Sequence, residues 1–246
     1  MNRRATLLIT TFNRDQLLLD GLTSVIAQNV EGLEVYVLND GEEGRAKSIA
    51  EDCNVRYIHT GLTKNDFSDW RVPGYALNIG ARRSAGSVII ISCAEIYHMG
   101  NPIEKIISTV ESNPMAMAIT NGLDDDGSFE INGDQYNKLP PLNTKLPFLM
   151  GLSRKNYFDI GGYDEDFKGH SRDDVDFVDR LTNYGCSYHI VGGLCVHLYH
   201  HRTFHDPEMV TKKQYNNAIY QQKRGTIVRN QEREWGKFDE LIAVDK

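Results

Sequence analysis

Long apolar runs are missing from this 246-residue chain. No window reaches the roughly 20 apolar residues of a membrane-spanning helix. The opening stretch MNRRATLLITTFNRD has too short an apolar run, and no small-residue cleavage site, for a secretory signal. Cysteine is scarce: Cys53, Cys93, Cys186 and Cys195 lie far apart with no CxxC pair, which argues against a zinc ribbon or disulfide framework and leaves ordinary reduced thiols. Basic residues are outnumbered, 27 Lys+Arg against 34 Asp+Glu, for a formal net charge of −7. Broad nucleic-acid binding, which depends on neutralising phosphates, is therefore not expected. Internal repeats, low-complexity tracts and clear linkers are lacking too. The expectation is a soluble cytoplasmic protein, with 40% hydrophobic residues to fill a substantial core.

What is present is alternation. Ala5–Ile9 is a short apolar run, and Leu18, Leu22, Val25 and Ile26 follow at helical spacing within 14–29, a strand and then a helix. The pattern repeats with a strand at 34–38, a loop at 41–44, a short helix at 45–52 and a strand at 55–59. A helix at 73–84 then leads into a strand at 87–92, whose uninterrupted VIII suits burial on both faces. Such alternation predicts an α/β fold with a mostly parallel sheet flanked by helices. Further on the reading is a helix at 102–111, a strand at 115–120, a polar loop at 121–144, a strand at 147–153, a short helix at 154–160 and strands at 188–191 and 195–199. The chain is polar and helical from Pro207 onward, with Trp235 and Phe238 available to dock its end. A loop as long as 121–144 is usually a functional lid or a disordered segment. Its Asp124–Asp126 run lacks the remaining ligand spacing of a calcium loop and reads as a solvated turn.

Ligands of open α/β sheets bind beyond the carboxyl ends of the strands. Here those ends are polar: Thr10-Thr11-Phe12-Asn13-Arg14, Asn39-Asp40-Gly41 and Cys93-Ala94-Glu95. Each alone has an ordinary turn explanation; three in register point to a site. Two further segments carry candidate chemistry. In GGYDEDFKGHSRDDVDFVDRL, 161–181, Asp173, Asp174 and Asp176 open an apparent helix. They serve either as first-turn acids beneath a Ser171 cap, or as a site in which one aspartate has a raised proton affinity and takes a proton from a hydroxyl. The second segment is the histidine cluster His197, His200 and His201; each histidine could equally be a core or surface residue. Lys212, Lys213, Lys223, Arg224, Arg229 and Arg233 read as a solvated helix face, with an anion-attracting surface as the alternative.

From about Leu7 to about Arg202 these motifs resemble, in order, the inverting family-2 glycosyltransferases of the GT-A fold. The resemblance implies a nucleotide-binding part at about 1–98, an acceptor and catalytic part at about 99–206 and a C-terminal helical extension at 207–246. TTFNR looks like the opening nucleotide-binding loop, which brings in Thr10, Phe12 and Arg14, and NDG looks like the second-strand acid, which implies that Asp40 hydrogen-bonds uracil. PGYALNIGARRSAG resembles the family helix that would turn Asn78 and Arg82 toward nucleotide and diphosphate. Where the family carries two aspartates separated by one residue, this chain has Cys93 and Glu95; Glu95 matches the metal-ligating acid, and Glu95-Ile96-Tyr97-His98 looks like a variant with a histidine shortly after.

His197 resembles the family's late histidine ligand. An oxygen and imidazole set suits Mn²⁺, with Mg²⁺ second. The acidic helix matches the acceptor motif, which makes Asp174 the general base, gives Asp173 a role in orienting the acceptor or donor sugar, and leaves Asp176 to support the helix cap. Gly161, Gly162 and Tyr163 would form the turn beside the donor. The expected activity is metal-dependent transfer of a hexose or N-acetylhexosamine from a UDP-sugar to a hydroxyl of a glycan or other acceptor. A non-catalytic nucleotide-sugar or glycan-binding module is the alternative suggested by Cys93. A sugar nucleotidyltransferase ranks third, because TTFNRDQ contains none of the glycines of the expected GxGxR-type loop. Trp70 and the 121–144 loop are candidates to border the acceptor.

Overall fold

The computed structural model describes residues 3–60, 72–131, 133, 135–169, 171–201 and 207–237; Trp70 and Phe238 lie outside the described residues. The first half alternates as expected: β1 (Ala5–Thr11), α1 (Asp15–Ile26), β2 (Leu33–Asn39), α2 (Ala46–Asp52), β3 (Arg56–His59), α3 (Pro73–Arg83) and β4 (Val88–Cys93). The second half comprises β5 (Ile96–Met99), α4 (Pro102–Ser112), β6 (Ala116–Asp124), β7 (Leu149–Ser153), α5 (Arg154–Asp159), α6 (Asp173–Tyr184), β8 (Ser187–His197) and α7 (Pro207–Lys223). These strands form one sheet in the order β3-β2-β1-β4-β7-β6-β8-β5. Among the described residues β1, β2, β3 and β4 pair in parallel, whereas β7 and β5 run antiparallel to their neighbours, so the sheet is mixed.

The period of two along the strands divides the core between the two faces. Leu7 and Ile9 point to one side with Val37, Val88 and Ile90, where α1, α2 and α4 cover them. Leu8 points to the other with Leu38, Ile89 and Ile91, beneath α3, α5 and α6. Strand β4 is buried on both faces, as its apolar run requires. Helix α4 starts at Pro102 and buries Ile103, Ile106, Ile107 and Val110 on one stripe; each such side chain contributes about 1.5–3 kcal/mol of burial.

Residues 96–99, for which the sequence pattern predicts no element, form an edge strand. Two expectations change. The strands expected at 188–191 and 195–199 are one strand, β8, whose pairing with β6 shifts register between Thr120 and Asn121. The C-terminal helix ends at Lys223, and the chain beyond it runs as turns past residues 160–163 to Trp235, which is buried. No helix among the described residues is long and apolar enough to cross a membrane.

Candidate active site

The parallel register of β1 with β2 and β4 sets Thr11 beside Asn39 and Thr10 beside Cys93, so the three polar strand ends open at one edge of the sheet. Asn39 builds the second loop: its Oδ1 accepts from Gly41 N at 3.0 Å, and its Nδ2 donates to Glu42 O at 2.7 Å. Asn13 Oδ1 ties the first loop to it by accepting from Glu42 N at 2.9 Å. Glycine is needed at 41 because a Cβ there would sit 2.5 Å from Asn13 Oδ1. Asp40 is half-buried at this edge and accepts a hydrogen bond from the Thr60 hydroxyl. Thr10 Oγ1 reaches back to Ser92 O at 3.5 Å, and Phe12 is half-buried beside it in sequence.

Glu95 follows β4 and receives Arg14, whose Nε lies 3.3 Å from Glu95 Oε1. The same guanidinium contacts His200 Nδ1 at 3.3 Å, and the His200 ring stands 5.2 Å from that of His197. Backbone pairing brings the two ends together, since Leu198 N donates to Glu95 O at 2.7 Å. His197 Nδ1 lies 3.0 Å from Asp124 Oδ1. A carboxylate there keeps the proton on Nδ1 and, in the neutral ring, leaves the lone pair on Nε2, the arrangement usual for metal-bound histidines. Asp124 was not singled out from sequence; only its place in an acidic run could have flagged it. Asp125, next to it, is no solvated residue: its carboxylate accepts from the backbone N–H of Gly127, Phe129 and Tyr199 at 2.8, 3.0 and 2.9 Å and shapes the turn that carries Asp124.

The donor chemistry of Glu95 and His197 fits a divalent cation: a hard oxygen and an imidazole oriented by a second carboxylate. Among the described residues no three His, Cys, Asp or Glu side chains gather as a metal cage, so a cation here would draw its remaining ligands from substrate and water. His98 takes no part, because it lies buried with its ring against Ser24 of α1.

The acidic helix meets the same region. Burial, the charge and hydrogen bonding of Glu95, and the charge of Asp174 push the Cys93 thiol well above its ordinary range. Cys93 is therefore a neutral thiol within electrostatic reach of both acids. Asp174 accepts from Tyr163 OH at 3.1 Å. Burial pushes its carboxyl up to about 6, against the opposing effect of that hydrogen bond. Asp173 is buried, and burial together with the charge of Asp174 raises its carboxyl well above the usual range.

The local backbone is not the expected cap. Ser171 and Arg172 have φ of 82° and 75°, and neither caps the helix with its side chain. Two consecutive left-handed residues cost on the order of 1–3 kcal/mol each. They are held from α7: Asn216 Nδ2 donates to Ser171 O at 2.9 Å, and Arg172 Nε donates to Asn217 Oδ1 at 2.5 Å.

Four further expectations are corrected. Asn78 does not face a nucleotide. It is fully buried; its Nδ2 donates to Tyr163 O and Glu165 Oε1, each at 2.9 Å, while its Oδ1 accepts from Tyr157 OH at 2.8 Å and Tyr163 N at 2.9 Å. These use its whole hydrogen-bonding capacity to brace the 161–165 turn. Arg82 does not face a diphosphate: its guanidinium lies 4.1 Å from the centre of the Trp235 ring, and its Nε donates to Trp235 O at 3.1 Å. Asp176 is no cap support but one of a set of buried charges, 2.7 Å from both Arg180 Nε and Arg229 Nη2. Nor are the C-terminal basic residues a uniform solvated face, because Lys223 and Arg229 pair with Asp164 at 2.7 and 2.9 Å and Arg233 pairs with Asp166. Sequence reasoning missed them because their acidic partners lie about 50–70 positions earlier, beyond any local pattern.

A mixed sheet of this order, with polar strand ends opening beside an acidic helix, defines the GT-A class of nucleotide-diphospho-sugar transferase folds. The profile of glycosyl transferase family 2 matches residues 6–166, and the chain belongs to that family. An uncharacterized glycosyltransferase of Rickettsia bellii (strain RML369-C) is 24% identical over 157 residues, 60% of this chain but 22% of that relative's length.

Similar solved structures include GalNAc-T7 with UDP, GalNAc and Mn²⁺, at TM-score 0.60 and 15% identity over 81% of this chain and 44% of that one. The mannosyltransferase PcManGT from Pyrobaculum calidifontis, in complex with GDP-Man and Mn²⁺, superposes at TM-score 0.57 with 16% identity over 83% of this chain and 59% of that one. TarS of S. aureus with UDP gives TM-score 0.61 and 12% identity, over 78% and 60%. At these identities the structural likeness establishes the fold, and the chain spans less than two thirds of each of these four proteins.

Proposed function

We propose that this chain is an inverting glycosyltransferase that moves a hexose or N-acetylhexosamine from a UDP-sugar to a hydroxyl acceptor. The observation that supports the proposal is the neighbourhood shared by Asp174 and the Cys93–Glu95 loop, a carboxylate of raised proton affinity near the polar strand ends that this reading takes to bind the donor. In this reading residues 1–98 hold the donor, 99–206 shape the acceptor side, and 207–246 form an extension of which the described part, 207–237, braces it. The same reading has Thr10, Phe12 and Asp40 line the nucleotide edge, with Asp40 accepting from the base.

Glu95 and His197 would hold Mn²⁺ or Mg²⁺, which when bound supplies Lewis-acid stabilisation of the departing diphosphate. Arg14 contributes a fixed positive charge at the same edge. Asp174 takes the proton from the acceptor hydroxyl as that oxygen attacks the anomeric carbon from the side opposite the leaving group. Tyr163 orients the carboxylate by donating to it, and the neutral Cys93 adds no competing negative charge.

UDP titration calorimetry tests the donor side. Mn²⁺ is expected to strengthen UDP binding, and Glu95→Ala to remove that gain; UDP affinity indifferent to metal would sink the ligation, and no UDP binding at all would sink the donor assignment. A pH profile tests the base. Asp174 works ionised and its carboxyl is raised to about 6, so single-turnover transfer should be lost as pH falls through that value and level off above it. A flat profile between about pH 5 and 8 would remove Asp174 from the base role.

A further inference from the structure

Helix α6 carries Asp173 and Asp174 at its first two positions, and no side chain among the described residues caps that end. The chain enters it through left-handed backbone, with Gly169 at φ 73°, Ser171 at 82° and Arg172 at 75°. Glycine takes that conformation freely, whereas residues with a Cβ do not. Local sequence therefore does not fix where the two acids point.

Helix α7 supplies what the bend lacks. Asn216, in the interior of this 17-residue helix, is fully buried. Its Oδ1 accepts from Lys168 N at 3.0 Å, and its Nδ2 donates to Lys168 O at 2.8 Å and to Ser171 O at 2.9 Å. One side-chain amide thus pairs backbone groups on both sides of the bend, groups that a regular element would have paired for itself. Asparagine is a poor helix former, so its place inside α7 does not serve α7 itself. Neighbouring contacts close around it: Arg172 Nε donates to Asn217 Oδ1 at 2.5 Å, the Arg172 guanidinium lies 5.6 Å from the centre of the Tyr220 ring, and Tyr220 OH donates to Asp179, further along α6.

The first turn of α6 is held from a second direction by Tyr163. Its hydroxyl donates to Asp174 Oδ1 at 3.1 Å, and its ring stacks on that of Phe177, centres 4.1 Å apart and planes 4° from parallel. Tyr163 sets the carboxylate, and α7 sets the backbone that delivers it. We propose that Asn216 is a positioning residue for sugar transfer, pinning the left-handed bend before α6 so that Asp173 and Asp174 are presented toward the Cys93–Glu95 loop. The proposal rests on the assignment of Asp174 as the base.

UDP release from UDP-glucose, UDP-galactose and UDP-N-acetylglucosamine, together with carbon-13 NMR of the aspartate carboxyl groups of the full chain, tests it. In Asn216→Ala, turnover of whichever donor the unaltered chain uses is expected to fall by up to about 10²-fold, the cost of a misplacement of about 1 Å, while UDP affinity is retained. The Asp174 carboxyl, raised to about 6 by burial, should titrate nearer the ordinary value of about 4 once the end of α6 is released toward water. Adding Ser171→Gly makes the bend easy without its clamp, and should recover both turnover and the raised carboxyl. A merely structural asparagine would give neither the shift nor the rescue. Alanine strengthens the intrinsic preference of α7; Asn216→Asp, which keeps the acceptor for Lys168 N and loses both donated bonds, repeats the measurements if the alanine variant fails to fold. Undiminished turnover, a carboxyl that stays at about 6, or no recovery on adding Ser171→Gly would overturn the positioning role. If the unaltered chain neither binds UDP nor releases it from any of the three donors, the donor assignment fails, and the carboxyl titration with its reversal by Ser171→Gly still decides whether Asn216 sets the acids.

Discussion

Asp174→Asn should lower sugar transfer by about 10²–10⁴-fold, the usual worth of a positioned base, while UDP binding stays as in the unaltered chain. Asparagine keeps an oxygen to accept from Tyr163 OH, which lies 3.1 Å from Asp174 Oδ1, so the turn need not move. What it loses is the ability to take a proton. The variant has a second expected signature, in stability. The Asp174 carboxyl is raised in the folded state, so the native protein binds that proton more tightly than the unfolded chain does. Native stability therefore falls as pH rises from the ordinary carboxylate range through about 6, and the full cost is present above that value. Asparagine removes the cost and also relieves Asp173 of a neighbouring negative charge.

At pH 7.5 the variant should thus melt above the unaltered chain, with the gap closing as pH falls below about 4, where both carboxyl groups are neutral. Loss of transfer with gain of stability is the pattern of a functional group held against the fold's preference. A purely structural aspartate would instead lose Tm and UDP binding together, and that result would end its role as the base.

The alternating first half was legible in the sequence because its signals are local. VIII in β4, the capless but periodic α1 and the polar strand ends each declare themselves within a dozen residues, and parallel pairing then brings Thr10, Asp40 and Glu95 to one edge. The second half was harder to read. Strand β5 is four residues long and gains its partner, β8, from almost a hundred positions later. Asn78 and Arg82 lie on the helix where they were expected, but helical spacing does not say which side chain meets a neighbour and which meets a ligand. The 161–165 turn and the residues after α7 claim both. His98 and Asp124 illustrate the same limit in opposite directions: one resembled a ligand and turned to α1, while the other looked like a loop acid and holds His197.

Arg229→Met is the second large effect, and it follows from the charges buried between α6 and the chain beyond α7. Side chains of Asp164, Asp176, Arg180 and Arg229 are 1%, 3%, 3% and 4% exposed. Arg229 spans the two acids, with Nη2 2.7 Å from Asp176 Oδ1 and Nε 2.9 Å from Asp164 Oδ2. Its backbone N also donates to Ile160 O at 3.0 Å. Removing one partner of a buried pair leaves the other charge without water or compensation, at a cost of about 3–5 kcal/mol. Here each acid keeps one cation, Arg180 for Asp176 and Lys223 for Asp164, so the lower end applies, about 3 kcal/mol. At about 2–4 °C per kcal/mol for a chain of this size, Tm should fall by about 6–12 °C in a thermal melt.

Arg229→Lys keeps the charge but loses the planar fork that meets two carboxylates at once, and should fall between the two. The damage should also reach the site. Gly162, at φ 65°, packs where a Cβ would sit 2.4 Å from Asn78 Oδ1, and Asn230 Nδ2 donates to Gly161 O and Tyr163 O at 2.8 and 2.7 Å. The strap that carries Arg229 therefore sets the Tyr163 that orients Asp174. Transfer should weaken in Arg229→Met at temperatures where the variant is still folded, with UDP affinity retained. A Tm within about 2 °C of the unaltered chain would mean that solvent or neighbouring groups neutralise these acids, and the strap would then have no hold on the 161–165 turn.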